Sequence, residues 1–205
     1  MTPPKQPIKD AHHPITMLDE TLDHQGFRKV VTYQYREKDS GLEARREIVK
    51  TQSAIAVIAY DPDQQKLMMI RQFRLGAQLA TDKGMTIEVV AGLIDADEEP
   101  ANAAKRELLE ESGLDALSLE HCCSFLTTPG LTDEMIHLYF ARVDASNLAV
   151  EAGEASETER TFPFLLSVEE AMAAVDENTI TNGIAMLALM WFQRHHVKLL
   201  ESAIT

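Results

Sequence analysis

The chain has 205 residues, 45% of them hydrophobic and 25% charged, which is the composition of a globular protein with room for one well-buried domain and an extension. Its Lys+Arg total of 19 against 33 Asp+Glu gives a net charge of −14, which repels nucleic acid and anionic membranes and points to a small-molecule partner met by locally placed cations. The only cysteines, Cys122 and Cys123, are adjacent and badly placed for a mutual disulfide; with no signal-like apolar segment at the start and no apolar run near the ~20 residues a bilayer needs, they read as buried thiols of a cytoplasmic protein.

Residues 1–14 read as a loosely ordered, proline-bearing lead-in. Val30 to Arg36 alternates as a half-buried strand, Asp39-Ser40-Gly41 turns, and Glu43 to Lys50 returns, so residues 1–50 form an extension carrying a β-hairpin and 51–205 form the main domain. The main domain opens with the continuous apolar run Ser53 to Tyr60, a strand buried on both faces, whose partner is Lys66 to Arg74 across an Asp61-Pro62-Asp63-Gln64 turn. Met85 to Ala91 reads as one further strand that delivers Glu88, and a helix runs from Pro100 to just before Gly113. Two strands follow, Leu117 to Leu126 and Met135 to Val143. Ser167 with Glu170 forms a capping box for a short helix, and a longer apolar helix spans about Asn182 to Leu200, with Trp191 in the core. The order fits an α+β fold, a mixed β-sheet in an α/β/α sandwich.

Within the central helix, Glu107, Glu110 and Glu111 lie at i, i+3 and i+4 and project from one side, beside an apolar side made by Ala101, Ala104 and Leu108. Like charges so spaced oppose the helix, and only Lys105 and Arg106 are near enough to offset them; a hard divalent cation, Mg²⁺ or Mn²⁺, would offset them better. The pattern G-x5-E-x7-R-E-U-x-E-E-x-G-U, with U aliphatic, is met at Gly92, Glu98, Arg106, Glu107, Leu108, Glu110, Glu111, Gly113 and Leu114, and it resembles the Nudix box. The resemblance implies a loop-helix-loop that binds Mg²⁺ against a diphosphate through Glu107, Glu110, Glu111 and the Ala91 carbonyl, with Glu98 and Arg106 supporting the loop, in hydrolysis of a nucleoside diphosphate linked to another group.

The proline-glycine loop at Pro129-Gly130 followed by Glu134, the stretch Ile70 to Arg74, and Glu88 to Gly92 are similar to the ADP-ribose pyrophosphatase subfamily. ADP-ribose, with two phosphates, wants cationic donors beyond the metal, and Arg74 with Arg45 or Arg46 is available; by resemblance Arg74 contacts the nucleotide, with Glu88, Pro129 and Gly130 at the same substrate. In that subfamily the N-terminal hairpin exchanges across a two-fold homodimer and the base lies between subunits, for which Phe27, Tyr33 and Tyr35 are aromatic candidates. A general base is expected from outside the box: either Glu134 or the acidic stretch from Glu151 to Glu159, where the resemblance assigns Glu157 as base and Glu159 as a further metal ligand. Pyrophosphatases for GDP-mannose or UDP-glucose, and a non-catalytic ADP-ribose sensor, stay open as alternatives.

Overall fold

The structure is a computed structural model that describes residues 8–153 and 160–201, and it divides into two compact units. One runs to Thr51 and takes in Thr128–Asp133; the other holds Gln52–Thr127 and the chain from Glu134 onward. The first is an antiparallel sheet in the order β1 (Ile15–Gln25), β2 (Lys29–Glu37), β3 (Glu43–Lys50). The hairpin of β2 and β3 pairs Val31 with Ile48 and Tyr33 with Arg46, and Gly41 takes the left-handed conformation its turn requires, φ 72°. β1 has no counterpart among the predicted elements. All of its 11 residues are exposed, so no buried face imprints a period on the sequence. Asp133 fastens the returning segment by accepting the Thr51 N–H at 2.9 Å and pairing with Lys50, while Val49 N–H donates to the Leu131 carbonyl at 2.9 Å.

The second unit is built on a seven-stranded sheet in the order β10 (Thr161–Ser167), β5 (Lys66–Phe73), β4 (Ala54–Asp61), β9 (Met135–Arg142), β8 (Ser118–Leu126). β4 and β9 are parallel and the other pairs antiparallel, so the sheet is mixed. All eight residues of β4 are buried because its two faces feed two cores. Ala54, Ala56, Ile58 and Tyr60 pack with α3 (Val168–Asp176) and α4 (Gly183–Glu201), and Ile55, Val57 and Ala59 pack with α2 (Pro100–Ser112) on the other side. That is the α/β/α sandwich the sequence implies.

The expected strand from Met85 to Ala91 is broken in two. β4 and β5 pair only at their hairpin end, Ala59 with Met68 to Asp61 with Lys66, and then part. β6 (Met85–Glu88) takes the opened edge of β5 and β7 (Val90–Leu93) takes that of β4, with buried Val89 at the crossing. Two further elements are absent from the sequence reading. α1 (Leu75–Thr81) buries no residue and shows no apolar stripe. β10 contains Pro163, which argues against a central strand but is tolerated here at the sheet edge.

The capping box is formed as expected, Glu170 N–H to Ser167 Oγ at 3.1 Å and Ser167 N–H to Glu170 Oε2 at 2.8 Å. Cys122 and Cys123 are free thiols and half-buried rather than fully buried, because a bulge between His121 and Cys123 turns both toward the α4 core near the sheet edge. Burial pushes the Cys122 thiol up to about 12, so it is held in the neutral form. Trp191 is also half-buried, stacked on His195 at 4.2 Å between ring centres. Among the described residues no helix is long and apolar enough to cross a membrane.

Candidate active site

α2 starts with Pro100 at its first position, where a missing N–H is harmless, and ends at Gly113, whose φ of 74° lets its N–H close on the Leu109 carbonyl at 2.8 Å. Ala103, Ala104 and Leu108 are fully buried against the sheet, while Ala101 is half-buried at the edge of that face. Packing of that stripe turns Glu107 and Glu111, one helical turn apart, onto β7. Glu111 is 1% exposed, and its Oε2 accepts the Ala91 N–H at 3.2 Å. Glu107 lies so close over Gly92 that a Cβ built there would fall 2.0 Å from the Glu107 carboxyl carbon. A side chain at 92 would have to push the Glu107 carboxylate aside.

Arg106 is the hub of the box. Its Nε and Nη2 hold both oxygens of Glu98 at 3.1 and 2.9 Å, Nη2 also donates to the Leu93 carbonyl at 3.0 Å, and Nη1 reaches Glu107 at 2.8 Å and Glu110 at 3.2 Å. Glu98 in turn accepts the Asp95 N–H at 3.0 Å, so the loop between Leu93 and Pro100 is tied to the helix through one guanidinium. The Arg106 hydrogen bond holds the Glu98 carboxyl below its ordinary value, and the same bond, first among its partners, raises Arg106 further above its own.

The same sheet face continues through β6 and β5. Glu88, 3% exposed, forms a fork with Arg74: Nε to Oε1 and Nη2 to Oε2, both at 3.0 Å. Thr86 Oγ lies 2.5 Å from Glu88 Oε1, and the Arg74 N–H bonds the Gly84 carbonyl at 2.8 Å. Gln72 faces Thr86 on one side and Thr161 on the other. Buried Thr161 donates its hydroxyl to the Glu111 carbonyl at 2.9 Å, joining this polar row to the end of α2. The structure thus brings Arg74, Glu88, Glu107 and Glu111 onto one face, where Ala91, whose side chain packs on the other core, contributes its backbone. Sequence reasoning did not single out Thr86, Gln72 or Thr161; the available signal was polar residues alternating with apolar ones in strands that are otherwise core.

Glu134 stands at the head of β9, where it accepts the Thr127 hydroxyl at 2.8 Å, with β4 between its strand and β7. Glu157 and Glu159 lie outside the described residues, and the described residues on either side of them, Gly153 and Thr161, meet the C-terminal end of α2. Gly153 N–H bonds the Glu110 carbonyl at 2.9 Å, and Thr161 holds that of Glu111 on the other side. Arg160 pairs with Glu151 at 2.6 Å. Phe27, Arg45, Arg46, Pro129 and Gly130 belong to the first unit and are exposed. Phe27 is 91% exposed under Arg28, Arg46 donates to the Arg45 carbonyl at 2.7 Å, and Pro129 and Gly130 sit in the turn closed by Leu131 N–H on the Thr128 carbonyl at 2.8 Å.

Among the described residues no three histidine, cysteine, aspartate or glutamate side chains converge as a metal cage. The cause is visible: Arg106 draws Glu107 and Glu110 toward itself, while Glu111 turns to the backbone of Ala91. The donors nevertheless fit a hard cation, since they are carboxylate oxygens crowded on one helical side and balanced by one guanidinium.

Residues 50–184 match the NUDIX domain family. The chain is 32% identical to the ADP-ribose pyrophosphatase of Haemophilus influenzae over 92% of its length and 90% of that protein's. It is 31% identical to the GDP-mannose pyrophosphatase of Cronobacter sakazakii over 80% of its length and 85% of that protein's. A crystal structure of an ADP compounds hydrolase superposes with a TM-score of 0.72 at 19% identity, covering 91% of this chain and 96% of the other, a likeness of fold.

Proposed function

The chain belongs to the NUDIX domain family, and we propose that it hydrolyses the diphosphate of ADP-ribose or a related ADP-sugar, releasing AMP and, from ADP-ribose, ribose 5-phosphate. The observation that carries this reading is the shared face on which Glu107 and Glu111 press against Gly92 and Ala91 beside the Arg74–Glu88 fork. A carboxylate cluster on the face that also carries a cation suited to phosphate oxygens supports this reading. The similarity to an ADP-ribose pyrophosphatase along nearly the whole chain supports the choice of substrate.

In this reading Glu107, Glu111 and the Ala91 carbonyl hold Mg²⁺, or Mn²⁺ in its place, with Glu110 as a further or outer ligand and Glu159 joining from the loop. Such an ion neutralises diphosphate charge and acidifies bound water. Arg74 orients the diphosphate, while Arg106 and Glu98 keep the loop after Leu93 in place and exchange no proton. Glu157 takes the proton of the water that attacks phosphorus, and the other phosphate leaves on its sugar; Glu134 is the alternative base. A carboxylate bound to metal is a poor proton acceptor, which is why the base is sought outside the box. The setting is the cytoplasm, in keeping with two free thiols.

A second reading, hydrolysis of GDP-mannose, is favoured by the similarity to the Cronobacter enzyme. The test is to incubate purified protein and Mg²⁺ with ADP-ribose, other ADP-sugars, GDP-mannose and UDP-glucose and to resolve the products. AMP and ribose 5-phosphate as the fastest-formed products support the first reading; GMP and mannose 1-phosphate would move the assignment to the second. Tight ADP-ribose binding without turnover would make the protein a sensor.

A further inference from the structure

We infer that Thr86 is a positioning residue for Arg74, acting through Glu88; this rests on the reading that Arg74 binds the substrate diphosphate. Thr86 and Glu88 are two apart on β6 and therefore project to one face, the face that carries Arg74 and α2. The Thr86 hydroxyl has a single proton and two acceptors within reach, Glu88 Oε1 at 2.5 Å and the Gln72 carbonyl at 3.1 Å. The shorter, charge-assisted contact takes it. Oε1 of Glu88 is then shared between Thr86 and Arg74 Nε, and Oε2 receives Arg74 Nη2.

This arrangement fixes the plane of the guanidinium. A carboxylate on a flexible stem can rotate and carry a bound arginine with it, but Glu88 is pinned by a β-branched residue that is itself buried and has few rotamers. The side chain of Arg74 is 43% exposed, and the fork engages it through Nε and Nη2. Glu88 and Thr86 accordingly touch no substrate; they set the orientation of a group that does. With valine at 86 the shape is preserved and the hydroxyl is lost, leaving Glu88 short of a donor and the arginine less well aimed.

The experiment compares wild type, Thr86→Val and Thr86→Ser, each alone and with Arg74→Ala, on whichever nucleotide sugar the wild type hydrolyses. Thr86→Val should raise KM about tenfold with kcat changed by less than about twofold, and Thr86→Ser should restore the wild-type KM. With Arg74→Ala in place, Thr86→Val should add less than about a twofold effect, since a residue that acts through Arg74 has nothing left to act on. A full effect in that background, or a loss in Thr86→Ser equal to that in Thr86→Val, overturns the inference. A second measurement needs no substrate: the Arg74 Nε–H resonance, assigned by its disappearance in Arg74→Lys, should exchange with solvent about tenfold faster in Thr86→Val and normally in Thr86→Ser. Unchanged exchange in Thr86→Val refutes the positioning role. If the wild type hydrolyses no nucleotide sugar, the functional reading falls by itself, and the exchange measurement still decides for or against Thr86.

Discussion

Gly92 is held to glycine by a neighbour and not by its own backbone, since its φ is not among the left-handed ones and the obstacle is the Glu107 carboxylate. Gly92→Ala should therefore displace Glu107, abolish most activity and lower stability by about 1–3 kcal/mol in a thermal melt. Arg106→Ala should be comparably harmful, about 2–3 kcal/mol, because it leaves Glu98, Glu107 and Glu110 close together without their shared counter-ion. Acid should act through Glu98 and through Asp61, which accepts backbone N–H groups from Asp63, Gln64 and Ala145. Burial pushes Asp61 up and those bonds outweigh it, so it sits below its ordinary 3.8, as Glu98 sits below 4.5 through Arg106. Both are more readily ionised folded than unfolded, so their contribution is complete above the unfolded values and is lost as pH falls through the lower folded ones. Melting temperature should be flat above about pH 5 and fall below about pH 4, and Asp61→Asn should lower the plateau and flatten the acid limb. The box acids were legible because their spacing alone puts them on one helical side. The Thr86–Glu88–Arg74 relation was not, because it joins the end of one strand to the middle of another and depends on where β4 and β5 part.

At the scale of elements, the strongest sequence signals are those in which local chemistry and burial agree. α2 has proline at its first position, glycine past its end and an apolar stripe between, and it lies where those signals put it. Leu108→Ala should cost about 2–5 kcal/mol, as the removal of a fully buried side chain between helix and sheet. Ser167→Ala, which removes the hydroxyl that accepts the Glu170 N–H and leaves the backbone N–H that donates to Glu170, should cost about 1 kcal/mol, measured by denaturant unfolding with unchanged slope. β1, α1 and β10 escaped the reading for physical reasons. The first two bury no residue and carry no period, and the third bears a proline whose cost vanishes only at an edge that topology, not sequence, assigns. The single strand expected from Met85 to Ala91 ran without a turn signal, and a periodicity argument has no means of seeing that its two halves pair with different neighbours.

For the whole molecule, the layered α+β architecture was readable from the order of elements, because one doubly buried strand with a helix on each side admits few arrangements. The association state was not, since it depends on surfaces. β1 exposes Met17 and Leu22, the turn after it Phe27, and α4 Met190; the homodimer that the resemblance implies would cover such groups, and light scattering should then report about twice 22.9 kDa. A mass of one chain at micromolar concentration would refute it. In the proposed reaction, diphosphate hydrolysis depends on an ion held by the buried carboxylates of α2. The most direct measurement is ADP-ribose turnover across a Mg²⁺ titration, for wild type and Glu111→Gln, with a matched series in excess chelator. The expected results are no turnover in chelator, saturable activation of the wild type by Mg²⁺, and a kcat lowered by at least about a hundredfold in Glu111→Gln with the fold intact. Full turnover in chelator, or wild-type kcat in Glu111→Gln, would contradict that dependence.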